Sequence, residues 1–333
     1  MSSEYPDFES AYVDQLRRTV RQPEYENAPR GHASLERLGV SFTVQNSTER
    51  AVRLPSRRAN IVFCFAESLW YLSGSNDLDF IAYYAPSIAK YSADGRTLQG
   101  TAYGPRIFDY HGRDQWDVVV DTLRADPDSK RAVVQIFDAH EVSGDNIDVA
   151  CTLALQFLLR DGRLCGVGFM RANDVFRGMV SDVFSFTVLL EVLARQIGAE
   201  VGSYSHQVGS LHVYGTDARW AGEVLAEADR GAIGYSESFP RMPHGDNRGY
   251  IRRVLAWERD LRLNAVALDA TQIDGLDLPE YWKDVVRLFE LYRRLRHDAG
   301  DVYVDDGVCA QLHPVVRDML LTKWPQLGAL AVR

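Results

Sequence analysis

The sequence predicts an α+β fold, and three observations carry that expectation. Two apolar runs, Leu153 to Leu159 and Leu164 to Phe169, flank the quartet Arg160-Asp161-Gly162-Arg163, the pattern of two strands joined by a tight turn. The stretch from Asp182 to Ile197 is largely apolar and free of proline and glycine, which predicts a buried helix. Residues 216–333 show helical periodicity broken by Gly/Pro/Asp-rich loops, so the C-terminal part is expected to be largely helical.

Taken in order, Phe8 to Val20 sets Phe8, Tyr12 and Leu16 at helical spacing and predicts an amphipathic first helix. Val40-Ser41-Phe42-Thr43-Val44 alternates as a half-buried strand does. Ile61 to Leu72 predicts a core helix with one acid, Glu67, stopped by Gly74 to Asp77. Phe80 to Tyr91 predicts another helix, and Gly95 to Gly104 a loop with Tyr103-Gly104 exposed. Trp116 to Arg124 predicts a helix ended by Asp126-Pro127-Asp128, and Ala132 to Phe137 a strand. After the long helix come a strand, Ser203 to Tyr214, and helices over Ala218 to Ala228, Gly249 to Leu263, Leu278 to His297 and Pro314 to Lys323. No repeat or low-complexity segment interrupts the chain, and residues 1–333 are expected to form a single domain.

Apolar residues make up 46% and charged residues 25%, enough to bury a sizeable core. A formal charge of -9 argues against a general nucleic-acid binder but leaves room for arginines gathered around one phosphate. Cys64, Cys151, Cys165 and Cys309 show neither a Cys-x-x-Cys pair nor zinc-like spacing, so neither a disulfide framework nor a metal is expected. The N-terminal residues lack the pattern of a signal peptide, and no apolar run nears the ~20 residues of a membrane span. A cytoplasmic protein with free thiols and no membrane attachment is expected.

Several residues admit two readings. Cys151, just before a strand, reads as a small buried hydrophobe by itself, and as a nucleophile if Arg171 on the following hairpin favours its thiolate. Arg30, Lys130, Arg131 and Arg171 are solvated surface charges if they stay apart and a phosphate cradle if they converge. Glu67 in its apolar helix needs either a buried partner or a task. Asp174 and Asp182 flank a turn at Gly178, where either can cap a helix. His212 and Tyr214 lie on one face of a strand, where they meet a sugar hydroxyl or line the core.

In one order and at one set of spacings, Glu-x-Leu-Trp-x-Leu-x-Gly (Glu67 to Gly74), Tyr103-Gly104, Pro-Asp-Ser-Lys-Arg (127–131), Cys151, Arg-x-x-Asp-Val-Phe-x-Gly (171–178) and His-x-Tyr (212–214) resemble the thymidylate synthase family. The resemblance covers residues 30–215 and implies that family's mixed sheet flanked by helices, with residues 216–333 a divergent helical extension. It implies that Cys151 adds to C6 of a pyrimidine nucleotide, that Glu67 manages protons through ordered water, and that Tyr103 assists near C5. Arg30, Arg171, Lys130 and Arg131 would bind the 5′-phosphate, the last two reaching the partner's site in a homodimer. His212 and Tyr214 would hold the sugar. Asp174, with Gly178 in the same turn, would hold the pterin of 5,10-methylenetetrahydrofolate, the co-substrate, and neither metal nor flavin is implied.

The departures from the family pattern bear on substrate. Where the family has Pro-Phe-Asn this chain has Val180-Ser181-Asp182. An aspartate accepts from a 4-amino group and, through a protonated N3, stabilises cytosine, whereas O4 of uracil meets it as acceptor against acceptor. The family's Pro-Cys-His is Ala150-Cys151-Thr152, and both tryptophans of its Ile-Trp-Asp-Glu-Trp-Ala-Asp segment are missing from Ile88 to Asp94. Loss of an indole that shields the exocyclic carbon implies that water, rather than hydride, reaches it. Arg171-Ala172 in place of Arg-Ser, and Lys130-Arg131 in place of Arg-Arg, loosen the phosphate seat and favour CMP over dCMP. The resemblance thus points to the pyrimidine 5-hydroxymethylase branch, nearest to the CMP hydroxymethylases of nucleoside-antibiotic biosynthesis. A conventional thymidylate synthase acting on dUMP and a non-catalytic nucleotide-binding paralogue are the alternatives.

Overall fold

A computed structural model describes residues 3–142, 145–231, 237–298 and 307–328. The chain runs β1 (Ser3–Tyr5), α1 (Phe8–Arg21), β2 (Tyr25–Asn27), β3 (Ser34–Val44), α2 (Ile61–Leu72), α3 (Leu78–Tyr84), α4 (Tyr103–Phe108) and α5 (Gln115–Ala125). It continues through β4 (Val133–Gln135), β5 (Thr152–Arg160), β6 (Arg163–Asp174), α6 (Gly178–Ile197) and β7 (Glu200–Tyr214). The last elements are α7 (Ala218–Asp229), α8 (Arg248–Arg262), α9 (Ala270–Asp274), α10 (Glu280–His297) and α11 (Pro314–Lys323).

The seven strands form one mixed sheet in the order β1-β3-β7-β6-β5-β4, with β2 added to β3. The β5–β6 hairpin closes as expected, because Asp161 and Gly162 both take positive φ, as its two-residue turn requires. β6 and β7 are parallel, and α6 is the crossover between them. Along these strands one face buries Phe42, Leu164, Met170 and Val208, while Gln156, Val167, Phe169, Ser205 and Gln207 on the other stay half-buried within one chain.

Local signals explain the helices that came out as expected. Asp7 caps α1 by accepting from the Ser10 amide, and Phe8, Tyr12, Leu16 and Thr19 form its buried stripe. Asn60 caps α2, which is buried nearly all round because α6 packs on one side and α8, α10 and α11 on others. The C-terminal helices thus share one hydrophobic core with the sheet.

Four expectations are corrected. Phe80 to Tyr91 is not one helix: Pro86 pushes Ala85 out of helical geometry, so α3 stops at Tyr84 and a 3₁₀ turn, Pro86–Tyr91, follows. Tyr103 is not exposed in a loop but 4% exposed at the start of α4, stacked on Tyr71 at 4.8 Å between ring centres. The first long strand spans Ser34–Val44 rather than Val40 to Val44 alone, held over its length by β7. Asp182 does not begin α6. The helix starts at Gly178, because Asp174 Oδ1 accepts from the Phe176 and Arg177 amides and folds the turn earlier, leaving Asp182 one turn inside. The final residues 329–333 lie outside the described residues.

Candidate active site

Cys151 stands at the head of β5, and its carbonyl accepts from the Arg171 amide at 2.8 Å. The Arg171 guanidinium lies beside it, with Nη2 3.6 Å from Cys151 Sγ. The same guanidinium donates from Nε to Ala150 O and from Nη2 to Val149 O, both at 2.9 Å, so the arginine is fastened to the strand that carries the thiol. Glu141 accepts from the Ala150 amide at 2.8 Å and is itself paired with Arg106. The segment that carries Cys151 is therefore fixed on both sides. The hydroxyl of Thr152, the residue after the cysteine, is fully buried and without a hydrogen-bond partner among the described residues.

Burial holds the Cys151 thiol above its ordinary pKa, against the pull of Arg171 and Arg30, and Asp182 and Asp148 push the same way as burial. Arg171 alone therefore does not produce a resting thiolate. Two substitutions should move the pH profile of Cys151 alkylation by iodoacetamide in opposite directions. Arg171→Leu removes the largest stabilising charge and slows labelling at pH 7, whereas Asp182→Asn removes an opposing charge and speeds it, each by about threefold or more. Equal or same-sign changes would contradict this electrostatic picture.

Glu67, 6% exposed, projects from α2 toward α6, where Ser185 donates to Oε2 at 2.9 Å. Asp182 lies one helical turn before Ser185 and accepts from Asn173 Nδ2 at 2.7 Å. Burial raises the pKa of both acids, and the Asp182 charge raises Glu67 further, so this neighbouring pair retains protons well above the usual carboxylate range. Tyr71 and Tyr103 complete the wall: Tyr71 is close enough for the Glu67 charge to act on its hydroxyl, and the Tyr103 hydroxyl accepts from the Thr152 amide at 3.4 Å. Cys151, Glu67, Tyr103, Asp182 and Arg171 thus come together at one place in the fold.

His212 and Tyr214 share one face of β7 with ring centres 5.0 Å apart, and His212 pairs with Asp174 in the β6–β7 ladder. Ala172 is half-buried opposite Ser210 in the same ladder. Arg30 sits exposed in a left-handed turn, Pro29–Gly31, close enough for its charge to act on the Cys151 thiol. Gly178 serves close packing: a Cβ there would stand 3.2 Å from Asn173 Nδ2 and 3.3 Å from Asp182 Oδ2.

Lys130 and Arg131 do not join this group within one chain. Both are exposed just before β4, where Val133 pairs with Gln156, which places Arg131 roughly 20 Å along β5 from Cys151 at ~3.3 Å per residue.

Sequence reasoning passed over the cleft beside the start of α6. Arg57, Arg58, Phe63, Phe176, Arg177, Val180, Ser181, Trp220 and Lys323 surround a cavity of about 180 Å³. Arg57 stacks over the rings of Phe176 and Trp220 and donates to Phe176 O. Burial and the neighbouring Arg57 and Arg58 charges lower the Lys323 pKa, and that lysine reaches the cleft from α11. The signal was a basic Arg57-Arg58 pair ahead of α2, but its third cation comes from 265 residues further along the chain.

A mixed sheet flanked by helices, with one arginine-fastened cysteine facing a buried acid pair, defines an α+β enzyme framework built around a thiol. The chain belongs to the thymidylate synthase family, whose model, "Thymidylate synthase", matches residues 10–235. That span is wider than the 30–215 of the motif resemblance and takes in α1 and α7. The chain is 33% identical over 216 residues to a deoxyuridylate hydroxymethyltransferase of Bacillus phage SP01, covering 61% of this chain and 56% of that protein. A deoxyuridylate hydroxymethyltransferase of Pseudomonas phage M6 is 33% identical over 178 residues, covering 53% and 50%. A thymidylate synthase of Corynebacterium aurimucosum is 26% identical over 227 residues, covering 67% and 84%. The chain spans about half the length of the phage relatives it matches.

Proposed function

We propose that this protein hydroxymethylates C5 of a cytidine monophosphate, CMP ahead of dCMP, with 5,10-methylenetetrahydrofolate supplying the carbon and water the hydroxyl. The single observation behind the base assignment is Asp182, a carboxylate that already accepts one hydrogen bond from Asn173 and stands beside Glu67. As an acceptor it suits the 4-amino group of cytosine.

In this reading the Cys151 sulfur bonds to C6 and the electrons of the C5–C6 double bond pass to C5. C5 then bonds to the methylene carbon of 5,10-methylenetetrahydrofolate and loses its proton. The carbon–nitrogen bond to the folate breaks, so that tetrahydrofolate leaves and an exocyclic methylene forms at C5, and water adds to that methylene. The sulfur–C6 bond then breaks and restores the thiolate. Glu67, protonated by burial, is placed to exchange protons with ordered water, and Tyr103 stands beside the thiol-bearing strand for the C5 proton. Arg171 and Arg30 offer charge to the phosphate, and His212 and Tyr214 offer donors to the sugar.

The carbon carrier is acidic and aromatic, and the cleft of Arg57, Arg58, Lys323, Phe176 and Trp220 fits such a molecule by both charge and ring surface. Asp174, whose carboxylate accepts from the amides of the cleft residues Phe176 and Arg177, would take the pterin. A second protomer packed on the half-buried sheet face would bring Lys130 and Arg131 to the partner's phosphate, since neither reaches the site in its own chain.

A second reading, hydroxymethylation of a uracil nucleotide, is favoured by the names of the phage relatives. Burial that keeps Asp182 protonated would let it donate to O4 instead. Incubation with CMP, dCMP, UMP and dUMP in turn, with 5,10-methylenetetrahydrofolate and product analysis by mass, separates the two. The expected product is CMP plus CH2O without dihydrofolate. A product from uracil nucleotides alone would replace the cytosine assignment, and a methylated product with dihydrofolate would overturn hydroxymethylation altogether.

A further inference from the structure

Behind Asp182 runs a line of buried polar side chains that the reaction itself does not use. Tyr204 and His206 lie two apart on β7, facing the covered side of the sheet, at 1% and 0% exposure. The Tyr204 hydroxyl is 2.9 Å from His206 Nδ1, His206 Nε2 is 3.0 Å from Asn173 Oδ1, and Asn173 Nδ2 is 2.7 Å from Asp182 Oδ2. Room for the tyrosine hydroxyl is made by Gly168, whose position would otherwise place a Cβ 2.2 Å from it. Three linked polar groups in an apolar layer are costly unless every one is satisfied.

The chain has one direction. Burial drives the His206 pKa down to about 3, so the ring is neutral and carries a single N–H. If Nε2 bears it, Asn173 Oδ1 accepts, Asn173 Nδ2 donates to Asp182, and Nδ1 accepts from Tyr204, so each member is used. In the opposite direction the Tyr204 hydroxyl hydrogen would have no acceptor among the described residues. The line therefore begins at a donor and ends by offering a donor to Asp182 Oδ2, while Asp182 Oδ1 takes no hydrogen bond from the described residues.

We infer that Tyr204, His206 and Asn173 are positioning residues that set base preference, holding Asp182 Oδ2 as an acceptor and leaving Oδ1 to read the base. The inference rests on the proposed reading that Asp182 meets the base edge. Without the His206 N–H, the Asn173 amide is free to turn its oxygen toward Asp182. That arrangement favours a protonated carboxyl able to donate, which suits O4 of uracil as well as the amino group of cytosine.

The test compares kcat/KM for CMP and UMP in the wild type, His206→Phe and Tyr204→Phe, with melting temperatures measured alongside. A nucleotide that is not turned over is followed by its Ki against the better substrate. The cytosine-to-uracil ratio should fall about tenfold in His206→Phe, the size of one buried hydrogen bond, and about threefold in Tyr204→Phe. Equal losses for both bases, or an unchanged ratio, would overturn the inference and leave the line a structural filler. If His206→Phe does not fold, Tyr204→Phe, which deletes one oxygen, decides alone. A wild type that prefers UMP would refute the cytosine reading, yet the positioning role would still stand or fall on whether the ratio moves.

Discussion

Cys151→Ala should lower kcat by at least about 10⁴-fold while leaving nucleotide binding within about threefold. The loss is that large because in the proposed reaction the sulfur bonds to C6, and no neighbouring group can take its place: Thr152 is a buried hydroxyl, and Arg171 is fastened to backbone carbonyls. In the proposed reading binding survives because the phosphate and sugar contacts come from Arg30, Arg171, His212 and Tyr214, and the Arg171 guanidinium is held by the Ala150 and Val149 carbonyls as well as lying beside the thiol. Tritium release from C5 of the labelled nucleotide reports the step directly. Retained release in the alanine variant would remove Cys151 from the chemistry. Mass spectrometry of iodoacetamide-treated protein supplies a companion check, since Cys64 is buried and its thiol is pushed far above the ordinary range, so it should remain unlabelled when Cys151 reacts.

Asp182→Asn should shift the ratio of kcat/KM for cytosine over uracil nucleotides by about 10²–10³-fold toward uracil, equivalent to about 3–4 kcal/mol. The amide keeps an oxygen for the Asn173 Nδ2 donor and turns its own NH2 toward the base, where it meets O4 of uracil as donor to acceptor and the cytosine amino group as donor to donor. The substitution also removes the charge that raises Glu67, so the Glu67 pKa should fall. The sign follows: a pH–rate profile limited by protonated Glu67 would lose activity at lower pH in the variant than in the wild type. Steady-state kinetics across pH with both nucleotides measures both effects. An unchanged base ratio would show that Asp182 does not touch the base.

Much of the framework is written locally. The Asp161-Gly162 turn, the caps at Asp7 and Asn60 and the alternation of β3 and β7 depend on neighbours a few residues away, so they could be read directly. Cys151, Glu67, Tyr103, Arg171 and Asp182 were legible for a different reason: their types and spacing match a family. Where a local signal competed with a nearby constraint, the reading slipped. Pro86 outweighed the periodicity of Phe80 to Tyr91, and Asp174, one of the two candidate caps, folded the turn so that α6 starts at Gly178 ahead of Asp182.

Short windows of sequence carry the class of fold and the family, and they single out the cysteine at position 151 and the acid at position 182, because strand pairing, turn chemistry and motif spacing are encoded within them. Tertiary structure alone decided three things: that Glu67 and Asp182 are neighbours sharing a desolvated pocket, that Tyr204 and His206 stand in line behind Asn173, and that Lys323 closes a cationic cleft begun by Arg57 and Arg58. Each joins residues far apart in the chain, and each depends on burial. A buried charge or hydrogen bond takes its strength, direction and proton from what surrounds it in space, which no window of sequence contains.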